Sequence, residues 1–181
     1  MYIVIGLGNP GDEYARTRHN TGRMAADFLQ TVEARLPQKK PGFRIFTPST
    51  FMNVTGKAVA KVVKNKKTAE KLIVIYDDLD LPLGVMKISY NRGSGGHRGL
   101  ESIIKALKTE AFIRIRIGTS PATPSGKLKK PKGEKAVEKH ILSDFKKPEM
   151  EKLKKVFKSV VTAVETIKDS GLSTAMTEFN K

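Results

Sequence analysis

The sequence predicts an α/β fold, a single domain in which a twisted, mixed β-sheet is flanked by helices. Apolar runs of strand length alternate along the chain with stretches whose apolar residues recur at helical spacing. The 181 residues suit one sizeable core, so residues 1–181 are expected to form one domain. No apolar run approaches the roughly 18 residues that a membrane-spanning helix needs, so no membrane partner is expected.

Five segments have the composition of strands. Residues 2–6 and 72–76 are continuous apolar runs, which are typical of strands covered on both faces. Residues 86–90 and 112–117 alternate apolar and polar side chains, so each is expected to present one polar face. Residues 43–47 are a weaker candidate.

Four amphipathic helices are expected around these strands. Their apolar stripes run over residues 24–36, 54–63, 100–107 and 150–167, and a short helical turn follows the last stripe. We interpret all four stripes as core-facing surfaces and none of them as a cofactor site.

The chain is strongly basic, with 34 lysine and arginine residues, 18 acidic residues and a net charge of +16. Such an excess attracts polyanions, most simply nucleic acid or anionic lipid, although it names no target. Residues 119–135, whose part 127–135 is lysine-rich, are expected to form a mobile basic loop, and residues 37–42 a second loop. Because the chain has no cysteine, disulfides and thiol nucleophiles are excluded, and a cytoplasmic protein is expected.

The glycine-rich turn after the first strand has two interpretations. Gly6, Gly8 and Gly11 formally match the G-x-G-x-x-G pattern of dinucleotide-binding proteins. That pattern requires a helix to begin at the third glycine, whereas no apolar helical stripe begins before Met24. A tight turn is therefore favoured over a dinucleotide site.

Polar side chains that could perform chemistry follow the two strongest strands. Asn9 can donate an amide hydrogen bond to a carbonyl oxygen, and His19 lies just before the first helix. Among the three histidines, only His19 is expected beside both an amide turn and an aspartate. That aspartate is Asp77, at the end of strand 72–76, which could orient the imidazole and fix its tautomer.

Three other motifs leave simpler alternatives open. Asp77, Asp78 and Asp80 could bind Mg²⁺ as in metal-dependent nucleases, or could be turn and cap residues. Asn53 precedes a predicted helix and could be its N-cap, worth about 1 kcal/mol. The glycine-rich segment 91–99 could hold an anion on backbone amides, but the chain lacks a Walker lysine–serine pair, so an NTPase is not expected.

Taken together, four stretches in this order resemble the bacterial-type peptidyl-tRNA hydrolase family: GLGNPGDEYARTRHNTG, FMNVTGKAV, YDDLDLPLGVMKISYNRGSGGHRGL and FIRIRIG. The resemblance implies hydrolysis of the ester bond between peptide and tRNA, which releases both for recycling during translation. It also implies a single α/β domain and peptidyl-tRNA as the partner. No cofactor and no metal are expected, and the protein is expected to be a monomer.

The resemblance also assigns roles to residues. His19 aligns with the catalytic histidine, a general base for water, and Asp77 with the aspartate that supports it. Asn9 and Asn53 match the two asparagines that hold the peptidyl end of the substrate.

The remaining assignments concern tRNA. Tyr14 and Phe51 match positions that line the site for the tRNA 3′ end. Lys87 and Arg116 match basic positions that face tRNA phosphates, and Arg98 is expected to reach a phosphate or a carbonyl oxygen.

Three features depart from the family pattern. Arg98 replaces an asparagine that contacts substrate in typical members, the segment between Leu36 and Phe43 is short, and the strand ending at Gly118 continues as Thr-Ser-Pro. Arg98 and the basic loop favour one rival interpretation, a catalytically silent RNA-binding protein on the same fold.

Overall fold

A five-stranded mixed sheet forms the centre of the described residues, 1–35 and 42–181, in this computed structural model. The strands are β1 (Tyr2–Gly6), β2 (Phe43–Phe46), β3 (Leu72–Pro82), β4 (Met86–Tyr90) and β5 (Ile113–Ser120). Their order is β2-β1-β3-β5-β4, and only β4 is antiparallel to its neighbour. The α/β class and the mixed sheet are therefore confirmed. The predicted loop 37–42 and the shortened segment before Phe43 lie outside the described residues, except for Gly42.

Seven α-helices surround the sheet in the part of the chain that the structure describes. They are α1 (Thr21–Glu33), α2 (Thr55–Val62), α3 (Lys66–Ala69), α4 (Arg98–Leu107), α5 (Glu134–Ile141), α6 (Lys147–Ser170) and α7 (Leu172–Phe179). The four predicted helices and the C-terminal helical turn are confirmed as α1, α2, α4, α6 and α7, while α3 and α5 were not predicted. No helix among the described residues is both long and apolar enough to cross a membrane.

The sheet buries apolar side chains on both faces. One core contains Val4 of β1 and Ile75 of β3, together with side chains of α1, α6 and α7. The other contains Ile5 and Val74 from the opposite faces of the same strands, together with side chains of α2 and α4. Alternate residues of β1 and β3 thus enter different cores, as the continuous apolar runs predicted.

The prediction of one polar face on β5 is wrong, because all eight residues of this strand are buried. Arg114 donates from Nη1 to the carbonyl oxygens of Glu110 and Phe112, both at 3.0 Å, and its guanidinium lies 4.0 Å from the centre of the Phe112 ring. Arg116 donates to a carboxylate of the neighbouring strand. Buried arginines are tolerated where acceptors and aromatic faces replace water. The alternating pattern of β4 does leave one face half-exposed.

Glycines allow α1 to pack directly on the sheet. A Cβ atom on Gly22 would lie 2.1 Å from the carbonyl oxygen of Ile75, and one on Gly6 would lie 2.3 Å from the carbonyl oxygen of Gly22. Gly11 has a φ of 107°, and a short 3₁₀ turn, not an α-helix, follows it. Because no α-helix begins at Gly11, the third glycine of the motif, the structural requirement for a dinucleotide site is not met.

The outer side of β4 is covered at one point by the C-terminal residues. The backbone N–H of Ile88 donates to Asn180 Oδ1 at 2.7 Å, and Asn180 Nδ2 donates to the carbonyl oxygen of Ile88 at 2.8 Å. The side chain of Lys87 donates to the carbonyl oxygens of Asn180 and Lys181. A short stretch of the edge strand is thus paired with a side-chain amide.

Candidate active site

A cavity of about 990 Å³ opens at the carboxyl ends of β1 and β3. Its walls come from the turn after β1, the start of α2, the glycine-rich segment before α4, and α5. Eight of the nine predicted site residues line it: Asn9, Tyr14, His19, Phe51, Asn53, Asp77, Arg98 and Arg116. Lys87 does not line it.

The predicted pair of His19 and Asp77 lies on the floor of this cavity. His19 occupies a 3₁₀ turn, Arg18–Asn20, immediately before α1, and Asp77 lies within β3, which is longer than predicted. The Nδ1 atom of His19 is 3.0 Å from each carboxylate oxygen of Asp77. Both side chains are buried.

His19 was expected to be the one histidine beside both an amide turn and an aspartate, but the aspartate is not its alone, because His97 contacts the same carboxylate. His97 Nε2 lies 3.0 Å from Asp77 Oδ1. Its other ring nitrogen, Nδ1, accepts hydrogen bonds from the backbone N–H groups of Gly99 and Leu100 at 3.2 and 3.4 Å. His97 is therefore the N-cap of α4.

These contacts fix the protons of the cluster. Since Nδ1 of His97 accepts, its proton must be on Nε2, from which it donates to Asp77. Asp77 is then an acceptor for both histidines, and His19 carries its proton on Nδ1. Within the described ranges no protein atom bonds to His19 Nε2, which is left as the nitrogen able to accept a proton.

The charges in the cluster shift its titration. Burial opposes the charged form of His19, but the negative charge and hydrogen bond of Asp77 outweigh burial, so the pKa of His19 is raised above 6.5. Burial would also raise the pKa of Asp77, but His19 and His97 outweigh it and hold that pKa well below its usual range. Asp77 is thus a permanent anion beside His19 at neutral pH.

Asn9 is held in one orientation at the cavity wall. Its Oδ1 accepts a hydrogen bond from the backbone N–H of Met52 at 2.8 Å, and only an oxygen can accept there. Its backbone N–H donates to Asn20 Oδ1, and Asn20 Nδ2 donates to its carbonyl oxygen, both at 2.9 Å. The Nδ2 group of Asn9, which makes no hydrogen bond within residues 1–35 and 42–181, is left as a donor.

Asn53 does not act as a helix N-cap. It lies in a 3₁₀ turn, Met52–Val54, and α2 begins at Thr55 with no side-chain cap. Asn53 is exposed and lines the cavity, so its amide is available to a ligand. The N-cap alternative therefore has no support at this position.

An aromatic pair forms the outer wall. Phe51 is 54% exposed, which is unusual for so large an apolar side chain. Its ring meets that of Tyr14 edge to face, with 6.4 Å between the centres. Exposed rings of this kind suit the flat face of a nucleobase.

The basic residues occupy three different settings. Arg116 donates from Nε to Asp78 Oδ2 at 2.7 Å and is buried. Arg98 begins α4 and pairs with Glu134 at 3.1 Å across the cavity mouth, with both side chains mostly exposed. Lys87 bonds to C-terminal carbonyl groups on the other side of β4.

The acidic residues do not converge as a nuclease metal site would require. Asp78 pairs with Arg116, and Asp80 pairs with Lys130 at 2.6 Å. Among the described residues, the one convergent set of potential metal ligands is His19, Asp77 and His97. His97 needs the proton on Nε2 to keep its backbone contacts, so the donor set fits a proton-bearing cluster better than a metal.

Comparison with known proteins decides the family. A family model described as peptidyl-tRNA hydrolase matches residues 3–181. The chain belongs to the peptidyl-tRNA hydrolase family. It is 38% identical, in an alignment of 198 positions that spans all of both chains, to the peptidyl-tRNA hydrolase of Thermodesulfovibrio yellowstonii. It is 40% identical, in an alignment of 182 positions that covers 90% of each chain, to that of Aquifex aeolicus.

Solved structures of the peptidyl-tRNA hydrolase family share the fold. The crystal structure of the Acinetobacter baumannii protein superposes with a TM-score of 0.82 at 26% identity, covering 99% of this chain and 94% of that one. The expected family and fold are therefore both confirmed.

Arg98 stands where the resemblance to the family leads us to expect an asparagine, and its substitution gives a first prediction. Arginine only donates and is always charged, so it can hold a phosphate or carbonyl oxygen but cannot accept from the attacking water. We expect Arg98→Ala to raise KM several-fold with kcat nearly unchanged, the signature of lost uniform binding. Steady-state kinetics with Arg98→Asn as the matched variant, which should remain active, test this. A large fall in kcat at unchanged KM would place Arg98 in the transition state.

Proposed function

We propose that this chain hydrolyses the ester bond between the peptide and the 3′-terminal ribose of peptidyl-tRNA, releasing free tRNA and peptide for recycling during translation. The observation that carries the proposal is the cluster of His19, Asp77 and His97. It leaves one basic nitrogen, His19 Nε2, without a protein partner among the described residues, on the floor of a large cavity. Family membership supplies the substrate class.

His19 acts as the general base in this proposal. Its Nε2 takes a proton from water as the water oxygen attacks the ester carbonyl carbon. Asp77 accepts the Nδ1 proton, keeps the ring in the required tautomer and stabilises the imidazolium as it forms. The same proton then passes to the ribose oxygen as the ester bond breaks.

Asn9 and Asn53 hold the substrate carbonyl groups. The orientation of Asn9 leaves an N–H donor for the ligand, and Asn53 is exposed in the adjoining turn, which also lines the cavity. A donor to the developing oxyanion typically contributes about 2.7–4 kcal/mol to transition-state stability. In this mechanism water is the nucleophile, and neither a nucleophilic side chain nor a metal takes part.

The tRNA contacts the rim of the cavity. Tyr14 and Phe51 stack on the 3′-terminal bases, and Arg98 and Arg116 face phosphates. Arg116 faces a phosphate while it stays paired with Asp78. Lys87 could reach a phosphate only after it breaks its hydrogen bonds to the C-terminal carbonyl groups. The net charge of +16 adds a general attraction to the polyanion.

One assay tests the proposal. Purified protein is mixed with an N-blocked aminoacyl-tRNA, with and without a chelator, and release of the blocked amino acid is followed. We expect turnover that the chelator does not change. Tight binding without turnover would instead establish the silent RNA-binding protein, which Arg98 and the basic segment favour, and chelator-sensitive RNA cleavage would establish a nuclease.

Salt dependence gives a second prediction. If the lysine-rich segment 127–135 meets tRNA phosphates, log Kd should vary linearly with log salt, with a slope set by the number of neutralised phosphates. Replacing Lys127, Lys129, Lys130 and Lys132 with alanine is expected to make this slope shallower by about one unit per lost contact. Single-turnover chemistry in the bound complex should not change.

The matched control removes the same charge elsewhere. Lys152, Lys154, Lys155 and Lys158 are exposed on α6 and do not line the cavity. Their replacement with alanine should alter the slope less. Equal slopes in both quadruple variants would show that the segment makes no specific phosphate contacts.

We further propose a single domain over residues 1–181, acting as a monomer in the cytoplasm. His19, Asp77, Asn9 and Asn53 line one cavity of a single chain, so the proposed chemistry does not require a residue from a second copy. Light scattering of the purified protein, with and without tRNA, measures the oligomeric state.

A further inference from the structure

We propose that Arg23 is a positioning residue that ties together the two loops carrying Asn9 and Asn53. This inference rests on the proposed function, because it assumes that the amides of Asn9 and Asn53 hold the substrate carbonyl groups. Arg23 lies in the first turn of α1, is half-buried and does not line the cavity, so it would act through its neighbours.

The guanidinium of Arg23 bonds to both loops at once. Its Nη1 donates to the carbonyl oxygen of Asn9 at 3.0 Å, and its Nη2 donates to the carbonyl oxygen of Pro48 at 2.9 Å. Asn9 belongs to the turn after β1, and Pro48 lies in the segment that leads from β2 to the 3₁₀ turn with Asn53. One planar group therefore sets the separation of the two loops.

The contact between the loops themselves depends on that separation. Asn9 Oδ1 accepts the backbone N–H of Met52, the residue before Asn53, at 2.8 Å. If the loops moved apart, this hydrogen bond would lengthen first, and the Asn9 amide would lose the contact that directs its Nδ2 toward the ligand. Misplacement of a reacting or binding group by about 1 Å can cost 100-fold in rate.

Arginine suits this position better than any other residue. Its donors form a rigid fork that can serve two acceptors in fixed directions, whereas a lysine ammonium is a single point on a flexible stem. The turn also packs closely on Arg23, since a Cβ atom on Gly8 would lie 2.7 Å from Arg23 Cβ. Asn20, one turn away, also donates to the carbonyl oxygen of Asn9 and accepts its backbone N–H, so Arg23 shares that acceptor and alone adds the contact to Pro48.

Kinetics of three variants test the inference. We expect Arg23→Met, which keeps the stem, to lower kcat about 10- to 100-fold with KM changed less than about threefold. Arg23→Lys, able to reach one carbonyl oxygen, should recover part of the loss. Arg35→Met is the control, because it removes the same charge from an exposed residue just beyond the end of α1. Arg35 lies roughly 18 Å from Arg23 at the helical rise per residue, and this variant should behave as wild type. Melting temperatures establish that all assays are run on folded protein.

A double-mutant cycle with Asn9→Ala separates positioning from general destabilisation. If Arg23 acts through Asn9, the loss caused by Arg23→Met should largely disappear in the Asn9→Ala background. Losses that multiply in full would overturn the inference while leaving the proposed function intact. Wild-type activity of Asn9→Ala itself would overturn the donor role in the proposed function, and the inference with it.

Discussion

His19→Ala is expected to abolish hydrolysis of peptidyl-tRNA, lowering kcat by about 1,000-fold or more, while tRNA binding and the fold remain. General-base catalysis alone is worth about 10² to 10⁴ in rate, and this cluster offers no second nitrogen in the same position. His97 cannot substitute, since its Nε2 carries the proton that it donates to Asp77. Single-turnover release of peptide, with binding measured separately, checks the prediction.

His140 provides the matched control. It is the one histidine outside the cluster. Its Nε2 lies 3.1 Å from the carbonyl oxygen of Thr119 and can donate a hydrogen bond to it. His140→Ala should retain most of the activity, apart from any change in thermal stability. Wild-type turnover by His19→Ala would remove the proposed base and with it the mechanism.

Asp77→Asn is expected to lower kcat by up to about 10,000-fold, the loss that an amide in place of the triad aspartate causes in a serine protease. An amide offers one acceptor and one donor group. His97 keeps its proton on Nε2, so it retains the amide oxygen, and the amide N–H₂ is left facing His19 Nδ1. The amide N–H₂ then favours the His19 tautomer that accepts at Nδ1 and carries its proton on Nε2, where it can no longer take one from water.

The pH dependence supplies a second measurement for this variant. In the wild type, kcat/KM should rise as His19 loses its proton, with a midpoint above 6.5 because Asp77 raises the pKa of His19. Without the negative charge, burial lowers that pKa, so the acid limb of the profile should move to lower pH. Asp80→Asn, which breaks only an exposed pair with Lys130, should change neither rate nor profile. An unmoved profile in Asp77→Asn would argue against the pair.

The same cluster makes folding stability depend on pH in two opposite ways, since the contribution of Asp77 is lost at low pH and that of His19 at high pH. Asp77 has a pKa lowered by folding, so its contribution is complete above 3.8 and is lost as the pH falls. His19 has a pKa raised by folding, so its contribution is complete below 6.5 and is lost as the pH rises through its folded value.

The sequence predicted those features whose signal is local. Continuous apolar runs identified β1 and the start of β3, because strands buried on both faces leave no polar positions. Four motifs in order identified the family and placed His19, Asp77 and Asn9 in one cavity. The role of His97 was not visible, because it depends on the end of β3 meeting the start of α4. A glycine-rich segment followed by an apolar helix does suggest a cap there, and that signal was available.

Other elements were missed for physical reasons. No residue of α5 is buried, its apolar stripe is limited to Val137 and Ile141, and its lysines resemble the loop before it, so the helix was not detected. The predicted loop 119–135 therefore begins inside β5 and ends inside α5. The extension of β3 through Asp78 and Asp80 to Pro82 depends on pairing with β5 and on Arg116, neither of which the local sequence reveals.

The pairing of Asn180 with Ile88 has a consequence for self-association. An exposed edge strand offers its free N–H and C=O groups to any other chain in extended conformation, and this is a common route to aggregation. Asn180 already occupies both groups of Ile88, in the middle of the five-residue strand β4. A strand from another molecule would have to displace this side-chain amide before it could form a continuous hydrogen-bonded ladder along β4. A single residue, Asn180, therefore protects this edge of the sheet.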